Sequence, residues 1–184
     1  MIFSLFIPRK ARFVLIAMFT FATGTSFAHG VYQSFRESGF GVRCGCELRV
    51  NRTFISLAKQ QGQSNIVGAY VCAENEPDPE TGVLYNVNIY DEGEGYAKVS
   101  PSYHAFFEEK YLEAYANNLE RDGISYSFTT YQDVTAVEYT FDQMGLPTKA
   151  IVFLKNKKSY LLQVGARRNL SQKFNAFKAG FVLL

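Results

Sequence analysis

Residues 148–184 read TKAIVFLKNKKSYLLQVGARRNLSQKFNAFKAGFVLL, and this stretch decides the fold. Residues 150–154 form a continuous apolar run, and residues 159–164 form a second run that is rich in strand-favouring side chains. The polar residues 155–158 between the two runs have the composition of a tight turn. The stretch is therefore predicted to begin with two antiparallel strands that form a β-hairpin.

The end of the same stretch has the period of an amphipathic helix. From Asn169 onward, apolar side chains recur at steps of four, three, four and three residues, at Leu170, Phe174, Phe177, Phe181 and Leu184. Residues at this spacing share one face of a helix. Burial of each such side chain contributes on the order of 1.5–3 kcal/mol. We therefore expect the helix to lie across the hairpin and the strands beside it.

The first 28 residues have the pattern of a secretory signal peptide. A basic stretch at residues 9–12 precedes an apolar core at residues 13–22, and Ser26-Phe27-Ala28 fits a small-x-small cleavage site. The apolar core is short compared with the ~20 residues that a membrane-spanning helix needs. We expect export to the periplasm or the exterior, a mature chain that begins at His29, and no transmembrane span in that chain.

The charge balance of the mature chain argues against a nucleic-acid partner. Three of the 19 Lys and Arg residues lie in the signal segment, which has no acidic residue. The remaining 156 residues therefore carry 16 basic and 17 acidic side chains, a net charge of −1. Nucleic-acid binding needs a net or clustered positive charge, so the composition favours other partners.

Residues 29–184 are long enough for one domain, and they show no internal repeat or linker. We expect residues 29–39 to form a flexible arm and residues 101–122 to form a long helix that ends at Gly123. Residues 91–95 have the composition of a solvated turn. Strand patterns occupy the segments 40–50, 66–74, 83–90, 124–131 and 134–141, while 53–58 fits a short strand or a helical turn. This order favours an α+β fold, in which an antiparallel β-sheet is covered by the long central helix and the C-terminal helix.

Four segments carry a recognisable combination of patterns, namely VTAVEY at 134–139, KAIVFL at 149–154, SYLLQV at 159–164 and a helix that ends Phe174-x-x-Phe177-x-x-Gly180-Phe181. Together they resemble the PsbP-like superfamily over about residues 66–184. The resemblance implies an α/β/α sandwich in a group whose members are mostly non-catalytic accessory or interaction proteins, including exported bacterial ones. It brings no catalytic or cofactor-binding residue with it.

All three cysteines, Cys44, Cys46 and Cys72, lie in the mature chain. An oxidising compartment permits a disulfide. Cys44 and Cys46 lie two residues apart on a predicted strand, so both point to one face and either can bond Cys72 on the adjoining strand. The spacing lacks both the C-x-x-C motif of redox enzymes and the fourth ligand of a structural zinc site. We interpret the cysteines as one structural disulfide and one free thiol.

His29 and His104 are the two histidines of the chain. A mature N-terminus at His29 invites comparison with copper enzymes in which the terminal amine and two histidines bind the metal. His104 lies in the predicted long helix, however, and the rest of the chain does not resemble those enzymes. We assign no catalytic residue, metal or cofactor. A metal-binding protein, or a hydrolase or oxidoreductase that uses His29, His104 or the cysteines, is the alternative function.

Basic residues at two places are the predicted contacts for a partner. Lys155, Lys157 and Lys158 lie at the hairpin tip, and Arg167 and Arg168 precede the last helix. Because no catalytic set converges, the sequence favours a non-enzymatic exported accessory or protein-binding module. We expect it to contact a protein of the cell envelope through a sheet edge or through a groove beside the long helix. A carrier for a small apolar ligand, with Phe and Tyr lining a cavity, is a further alternative.

Overall fold

The computed structural model describes residues 30–75, 78 and 80–184. The predicted signal peptide and His29 therefore lie outside the described residues. In the described part, the strands form two antiparallel sheets of three and seven strands. Several helices pack against them, so the predicted α+β class is confirmed.

The strands are β1 (Val31–Phe35), β2 (Phe40–Cys44), β3 (Arg49–Val50), β4 (Ile66–Glu74), β5 (Val83–Asp91), β6 (Tyr126–Tyr131), β7 (Val134–Gln143), β8 (Leu146–Lys155), β9 (Lys158–Ala166) and β10 (Val182–Leu183). The helices are α1 (Arg52–Gln60), α2 (Gly93–Ala97), α3 (His104–Arg121) and α4 (Leu170–Gly180). The smaller sheet has the order β1-β2-β10, and the larger sheet has the order β3-β4-β5-β9-β8-β7-β6.

The C-terminal stretch forms the predicted hairpin and helix, with one correction at its end. β8 and β9 pair from Thr148 opposite Gly165 to Lys155 opposite Lys158. α4 ends at Gly180 instead of continuing to Leu184, because the backbone at Phe181 is extended. The next two residues form β10, which pairs with β2. Leu184 is 57% exposed and does not belong to the buried face of the helix.

The seven-stranded sheet lies between two layers. On β8, Ile151 and Phe153 belong to the buried cluster that contains α4, whereas Val152 and Leu154 belong to the cluster that contains α3. Tyr90 packs with α1, and it lies opposite Ser159 of β9. The hydroxyl of Ser159 is 3.2 Å from the hydroxyl of Tyr111 on α3, so α1 and α3 lie on the same side of the sheet. We call the two sides the α4 face, which the three-stranded sheet also covers, and the α3 face.

The α4 face is closed by aromatic rings and by one cluster of three charged side chains. Phe174 and Phe177 of α4 are almost fully buried. Glu138 on β7 accepts hydrogen bonds from the Nζ atoms of Lys149 and Lys178, each at 2.8 Å. Both ammonium groups also lie 5.3 Å from the centre of the Phe174 ring. This contact ties α4 to β7 and β8 at the rim of the core.

The long helix buries the predicted face but begins slightly later than expected. Residues 101–103 form a turn of 3₁₀ helix, and α3 begins at His104. The backbone leaves the helix through Gly123, whose φ of +73° suits a residue without Cβ. The residues predicted to face inward all pack against the sheet: Phe107, Tyr111, Leu112, Tyr115, Ala116 and Leu119.

The N-terminal part of the described chain differs most from the expectation. Residues 31–35, predicted to be part of a flexible arm, form β1 and pair along the whole length of β2. The segment 40–50 contains two strands in different sheets, because β2 ends at Cys44. Residues 53–58 lie in α1, where the side chain of Asn51 accepts a hydrogen bond from the N–H of Phe54 at 2.9 Å.

Candidate functional site

The two edge strands of the seven-stranded sheet differ in length and in charge. β6 has the sequence YSFTTY, with no charged residue and no proline, and among the described residues it pairs with β7 alone. β3 has two residues, and its Arg49 forms an ion pair with Glu47 at 3.1 Å. Natural edge strands are normally protected by shortness, charge, proline or a bulge. β3 is protected by its short length and by its charge, whereas β6 is longer and contains neither a charged residue nor a proline.

The exposed side chains of β6 are apolar or hydroxylated. Phe128 is 50% exposed and lies edge-on to the ring of Tyr126 at 5.8 Å between centroids. Ser127 and Thr130 are also exposed, whereas Thr129 is partly buried. An extended peptide segment placed beside β6 therefore meets unpaired backbone groups along the strand and an aromatic ring at its centre.

A surface depression continues from the start of β6 to the end of α3. It is lined by Glu120, Gly123, Ile124, Ser125 and Tyr126. The N–H of Ile124 donates to the carbonyl of Leu119 at 2.8 Å, which fixes the exit of the chain from α3. We call β6 and this depression together the edge site. It combines the two kinds of surface expected from the sequence, a sheet edge and a groove beside the long helix.

A partly buried carboxylate holds the middle of α3 against the sheet. Oε1 of Glu92 accepts hydrogen bonds from Asn65 Nδ2 at 3.2 Å, from Tyr111 Oη at 3.0 Å and from Ser159 Oγ at 3.0 Å. Burial raises the pKa of Glu92, although these hydrogen bonds oppose the effect. The prediction of a solvated turn at residues 91–95 is therefore wrong for Glu92. Its N–H donates to the carbonyl of Lys157 at 2.9 Å, and this bond positions the side chain under α3.

Two further hydroxyl contacts fix the position of α3. The hydroxyls of Tyr115 and Tyr139 are 2.6 Å apart, and burial raises the pKa of Tyr115 to about 12. Tyr96 Oη donates to Glu108 at 2.6 Å. Because hydrogen bonds are directional, the contact between Tyr115 and Tyr139 fixes α3 on β7, and the contact between Tyr96 and Glu108 fixes α2 on α3.

The structure selects one of the disulfides that the sequence left open. Cys46 and Cys72 are bonded, with their Cα atoms 5.9 Å apart. Cys44 is free and buried, and its thiol donates to the carbonyl of Cys46 at 3.0 Å. Burial raises the pKa of Cys44, so the thiol stays protonated and unreactive. Cys46 follows the end of β2 and is not on the same strand as Cys44, so the prediction of two neighbouring cysteines on one strand is wrong.

The structure does not bring His104 and the cysteines together. His104 is the first residue of α3, and its ring lies edge-on to Tyr96 at 5.0 Å between centroids. Tyr96 belongs to the cluster on the α3 face, whereas Cys44 and Cys72 belong to the cluster on the α4 face. Within the described ranges, no group of three or more His, Cys, Asp or Glu side chains is arranged to hold a metal ion.

The predicted basic contacts lie at opposite ends of the sheet. Lys158 is the first residue of β9, and Arg167 follows its last residue, so the two are about 30 Å apart at ~3.3 Å per residue. Arg168 forms an ion pair with Glu80 at 3.0 Å. Lys155, Lys157 and Lys158 form no ion pair with another described residue. A role for any of these five residues in partner binding stays a prediction.

Across the described ranges, no helix has both the length and the mean hydropathy required to span a bilayer.

Comparison with solved structures finds similar chains, whereas comparison of the sequence with family models and curated proteins does not. No family model matches the sequence, and no curated protein matches it. The chain is similar to the solution structure of cyanobacterial PsbP (CyanoP) from Synechocystis sp. PCC 6803. The similarity covers 90% of this chain and 98% of that chain, at 7% sequence identity and a TM-score of 0.40. A likeness at this level carries no argument about binding residues or activity.

Proposed function

We propose that this protein is an exported, non-enzymatic module that binds a protein partner at the edge site. The observation that carries the proposal is the uncharged six-residue strand β6 at the end of the seven-stranded sheet. An open edge of this kind accepts an extended segment of another chain as an additional strand. The main-chain hydrogen bonds then supply affinity, and the side chains beside Phe128 supply selectivity.

The chemistry of β6 defines the segment that fits beside it. A strand that pairs with YSFTTY meets no charged side chain on β6 itself. Aromatic and β-branched residues make the most favourable cross-strand pairs with Phe and Thr. We therefore propose a partner segment of about six extended residues, rich in such side chains and without charge at its centre.

Two features support export. The pattern of residues 1–28 is that of a cleavable signal peptide, and the Cys46–Cys72 disulfide suits an oxidising compartment. Mass spectrometry of the protein isolated from its native cells tests this part. We expect a chain that begins at His29, and a chain that retains residues 1–28 would contradict export through a cleaved signal.

Matched variants of the two edges test the binding site. Phe128→Lys places one charge on β6, and Val50→Lys places one on β3, at residues that are 50% and 51% exposed. Partners are captured from an envelope extract with the wild-type protein, identified, purified and then titrated against all three forms. We expect Phe128→Lys to weaken binding by about tenfold or more and Val50→Lys to leave it unchanged.

Hydrogen exchange distinguishes strand addition from other contacts. Binding of the purified partner is expected to slow exchange of the amides in residues 126–131, because an added strand covers their outer edge. The amides of β3 serve as the internal control and are expected to exchange at an unchanged rate. Equal losses of binding in both variants, protection confined to β3, or turnover of a small substrate without any partner would each overturn the proposal.

A further inference from the structure

The strand β6 has a sequence that is complementary to itself. It reads YSFTTY over residues 126–131, and among the described residues only β7 pairs with it. An antiparallel strand added on the other side of β6 places each of its residues opposite one residue of β6. When the added strand is a second copy of β6, the symmetry of the pair decides which residues meet.

The side chains of β6 alternate between the two faces of the sheet. Phe128 lies opposite Val137 of β7, which belongs to the cluster on the α3 face. Thr129 lies opposite Ala136, which belongs to the cluster on the α4 face. Two antiparallel copies of one strand are related by a two-fold axis perpendicular to the sheet, so residues that lie opposite each other point to the same face. The axis must therefore pass beside one residue, which pairs with its own copy.

Phe128 is the residue that fits on this axis. It lies near the centre of β6, and it is 50% exposed. With Phe128 opposite its own copy, Ser127 lies opposite Thr129, and Tyr126 lies opposite Thr130. An aromatic pair, hydroxyl pairs and pairs of an aromatic with a β-branched side chain are favourable cross-strand contacts. The strand has no charged residue that would meet its own copy.

The other sheet edges among the described residues are less suited to self-pairing. β3 and β10 have two residues each, and β3 carries the charge of Arg49. β1 is uncharged and has five residues, with Gln33 at its centre. The side chain of Gln33 donates to the carbonyl of Cys46 at 2.9 Å and accepts from the N–H of Leu48 at 2.7 Å. It is therefore already engaged within its own copy, whereas the ring of Phe128 is free to meet another.

We propose that two copies of this protein associate through β6, with Phe128 at the two-fold axis, so that their two large sheets become one continuous sheet. Each copy uses its β6 edge once, so the association stops at a dimer and leaves no exposed β6 for open-ended aggregation. This inference rests on the proposed function, because it uses the same edge and names a second copy of the chain as a partner that competes for it. One pair of short strands covers less surface than a standard interface of about 1,600 Å², so we expect a weak dimer that is half formed at about 0.1 mM.

Sedimentation of the purified protein from about 1 μM to about 1 mM tests the association. We expect the wild type to change from monomer to dimer over this range. Phe128→Lys places like charges opposite each other, so we expect dimerisation at least about tenfold weaker. Val50→Lys, at a residue of β3 that is 51% exposed, is the matched control and is expected to dimerise normally. A wild type that stays monomeric throughout, or equal weakening by both substitutions, would overturn the proposal.

A mixture of two variants tests the position of the axis. Phe128→Lys and Phe128→Glu place opposite charges across the axis when one copy of each combines, and like charges when either combines with itself. We therefore expect the mixed dimer to form about tenfold more readily than the dimer of either variant alone. No gain in the mixture would show that Phe128 does not face its own copy and would contradict the proposed pairing.

Hydrogen exchange of the wild type gives a reading that requires no substitution. We expect the amides of residues 126–131 to exchange more slowly at about 1 mM than at about 1 μM, because the second copy covers the edge. The amides of β1 are expected to exchange at the same rate at both concentrations. Protection confined to residues 31–35 would assign the contact to the other sheet and overturn the proposal.

The results also separate this inference from the proposed function. A dimer that pairs through β6, with no envelope protein bound at that edge, supports the inference and contradicts the proposed function. A protein that stays monomeric at about 1 mM and binds an envelope protein at β6 supports the function and overturns the inference. If both hold, added wild-type protein at high concentration is expected to lower the fraction of partner bound per copy, because the two compete for one edge.

Discussion

The two faces of the seven-stranded sheet are closed by different chemistry. On the α4 face, rings pack on rings, as between Phe40 and Phe181 at 5.3 Å and between Phe153 and Tyr160 at 5.3 Å. On the α3 face, rings such as those of Tyr115 and Tyr139 also meet, but hydroxyl groups and the Glu92 carboxylate add hydrogen bonds at the centre of the contact. The charged contact of the α4 face, at Glu138, lies at the rim of the core. Apolar contact is strong but not directional, whereas hydrogen bonds fix a position. We infer that the α4 face contributes most of the free energy of unfolding. The α3 face fixes the position of α3 and thereby the shape of the exposed surface beside it.

The largest expected effect tests the stability of the α4 face. Phe177→Ala removes a ring that is 2% exposed, and we expect a loss of about 3–5 kcal/mol in the free energy of unfolding. Urea denaturation measures it. Asn175→Ala, on the exposed side of the same helix, is the control and is expected to change stability by less than about 0.5 kcal/mol. A loss below about 1 kcal/mol for Phe177→Ala would show that α4 is not firmly docked.

The second effect concerns the disulfide, whose Cys72 lies on the α4 face. Removal of the bond in the double variant Cys46→Ala/Cys72→Ala frees a loop with a sequence separation of 26 residues. We expect a loss of about 3 kcal/mol, because the unfolded chain gains conformational freedom. Cys44→Ala keeps the bond and is expected to cost about 1 kcal/mol. Equal losses in the two proteins, measured by denaturation under non-reducing conditions, would contradict the assigned pairing.

The third effect measures what one directional contact on the α3 face contributes. Tyr111→Phe removes a hydroxyl that donates to Glu92 at 3.0 Å and lies 3.2 Å from the hydroxyl of Ser159. We expect a loss of about 1–2 kcal/mol in the free energy of unfolding. Tyr103→Phe, at a residue that is 62% exposed, is the control and is expected to be nearly neutral. If the two substitutions cost the same, the polar network does not hold α3 in place.

The smallest expected effect is a difference in how stability depends on pH. It compares the carboxylate of Glu138 on the α4 face with that of Glu92 on the α3 face. At Glu138, burial raises the pKa, but the hydrogen bonds from Lys149 and Lys178 lower it by more, so the pKa lies below its ordinary value. The stabilisation from this carboxylate is present above the unfolded-state pKa of about 4.3 and is lost as the pH falls through the folded-state pKa. At Glu92, burial raises the pKa. Its contribution is complete below about pH 4.3 and is lost as the pH rises through the folded-state pKa.

The two carboxylates are therefore expected to respond in opposite directions. Glu138→Gln should destabilise the protein more at neutral pH than in acid, whereas Glu92→Gln should destabilise it less at neutral pH than in acid. Denaturation curves of each variant and the wild type, recorded from about pH 3 to about pH 7 across the unfolded-state pKa, give the comparison. The same sign of pH dependence in both variants would show that the two faces do not differ in this respect.

Periodic features of the sequence predict the two helices and the central strands. The spacing of Phe174 and Phe177 identifies α4, and the inward residues of α3 follow from the same period. The end of α4 could not be predicted, because the position of Phe181 matches the helical period. In the structure Phe181 is extended, and its ring stacks on that of Phe40. The two residues of β10 become a strand only through their pairing with β2.

The candidate sites were less predictable than the fold. Glu92 lies in a segment with the composition of a turn, and its burial depends on Asn65, Tyr111 and Ser159, which are distant in sequence. The alternation on β5 predicts a half-buried strand, but it does not reveal that the polar side chains of Asn86 and Asn88 are buried as well. The open edge at β6 requires the strand order, which composition does not contain.

The pairing of β10 with β2 joins the two ends of the described domain. Gly41 pairs with Val182, and the N–H of Leu184 donates to the carbonyl of Gly39 at 3.0 Å. Contacts between residues so distant in sequence raise the contact order and slow folding. The small sheet is complete only when residues 182–183 pair with β2. Local folding alone cannot close this sheet, so one edge of β2 stays unpaired until β10 reaches it.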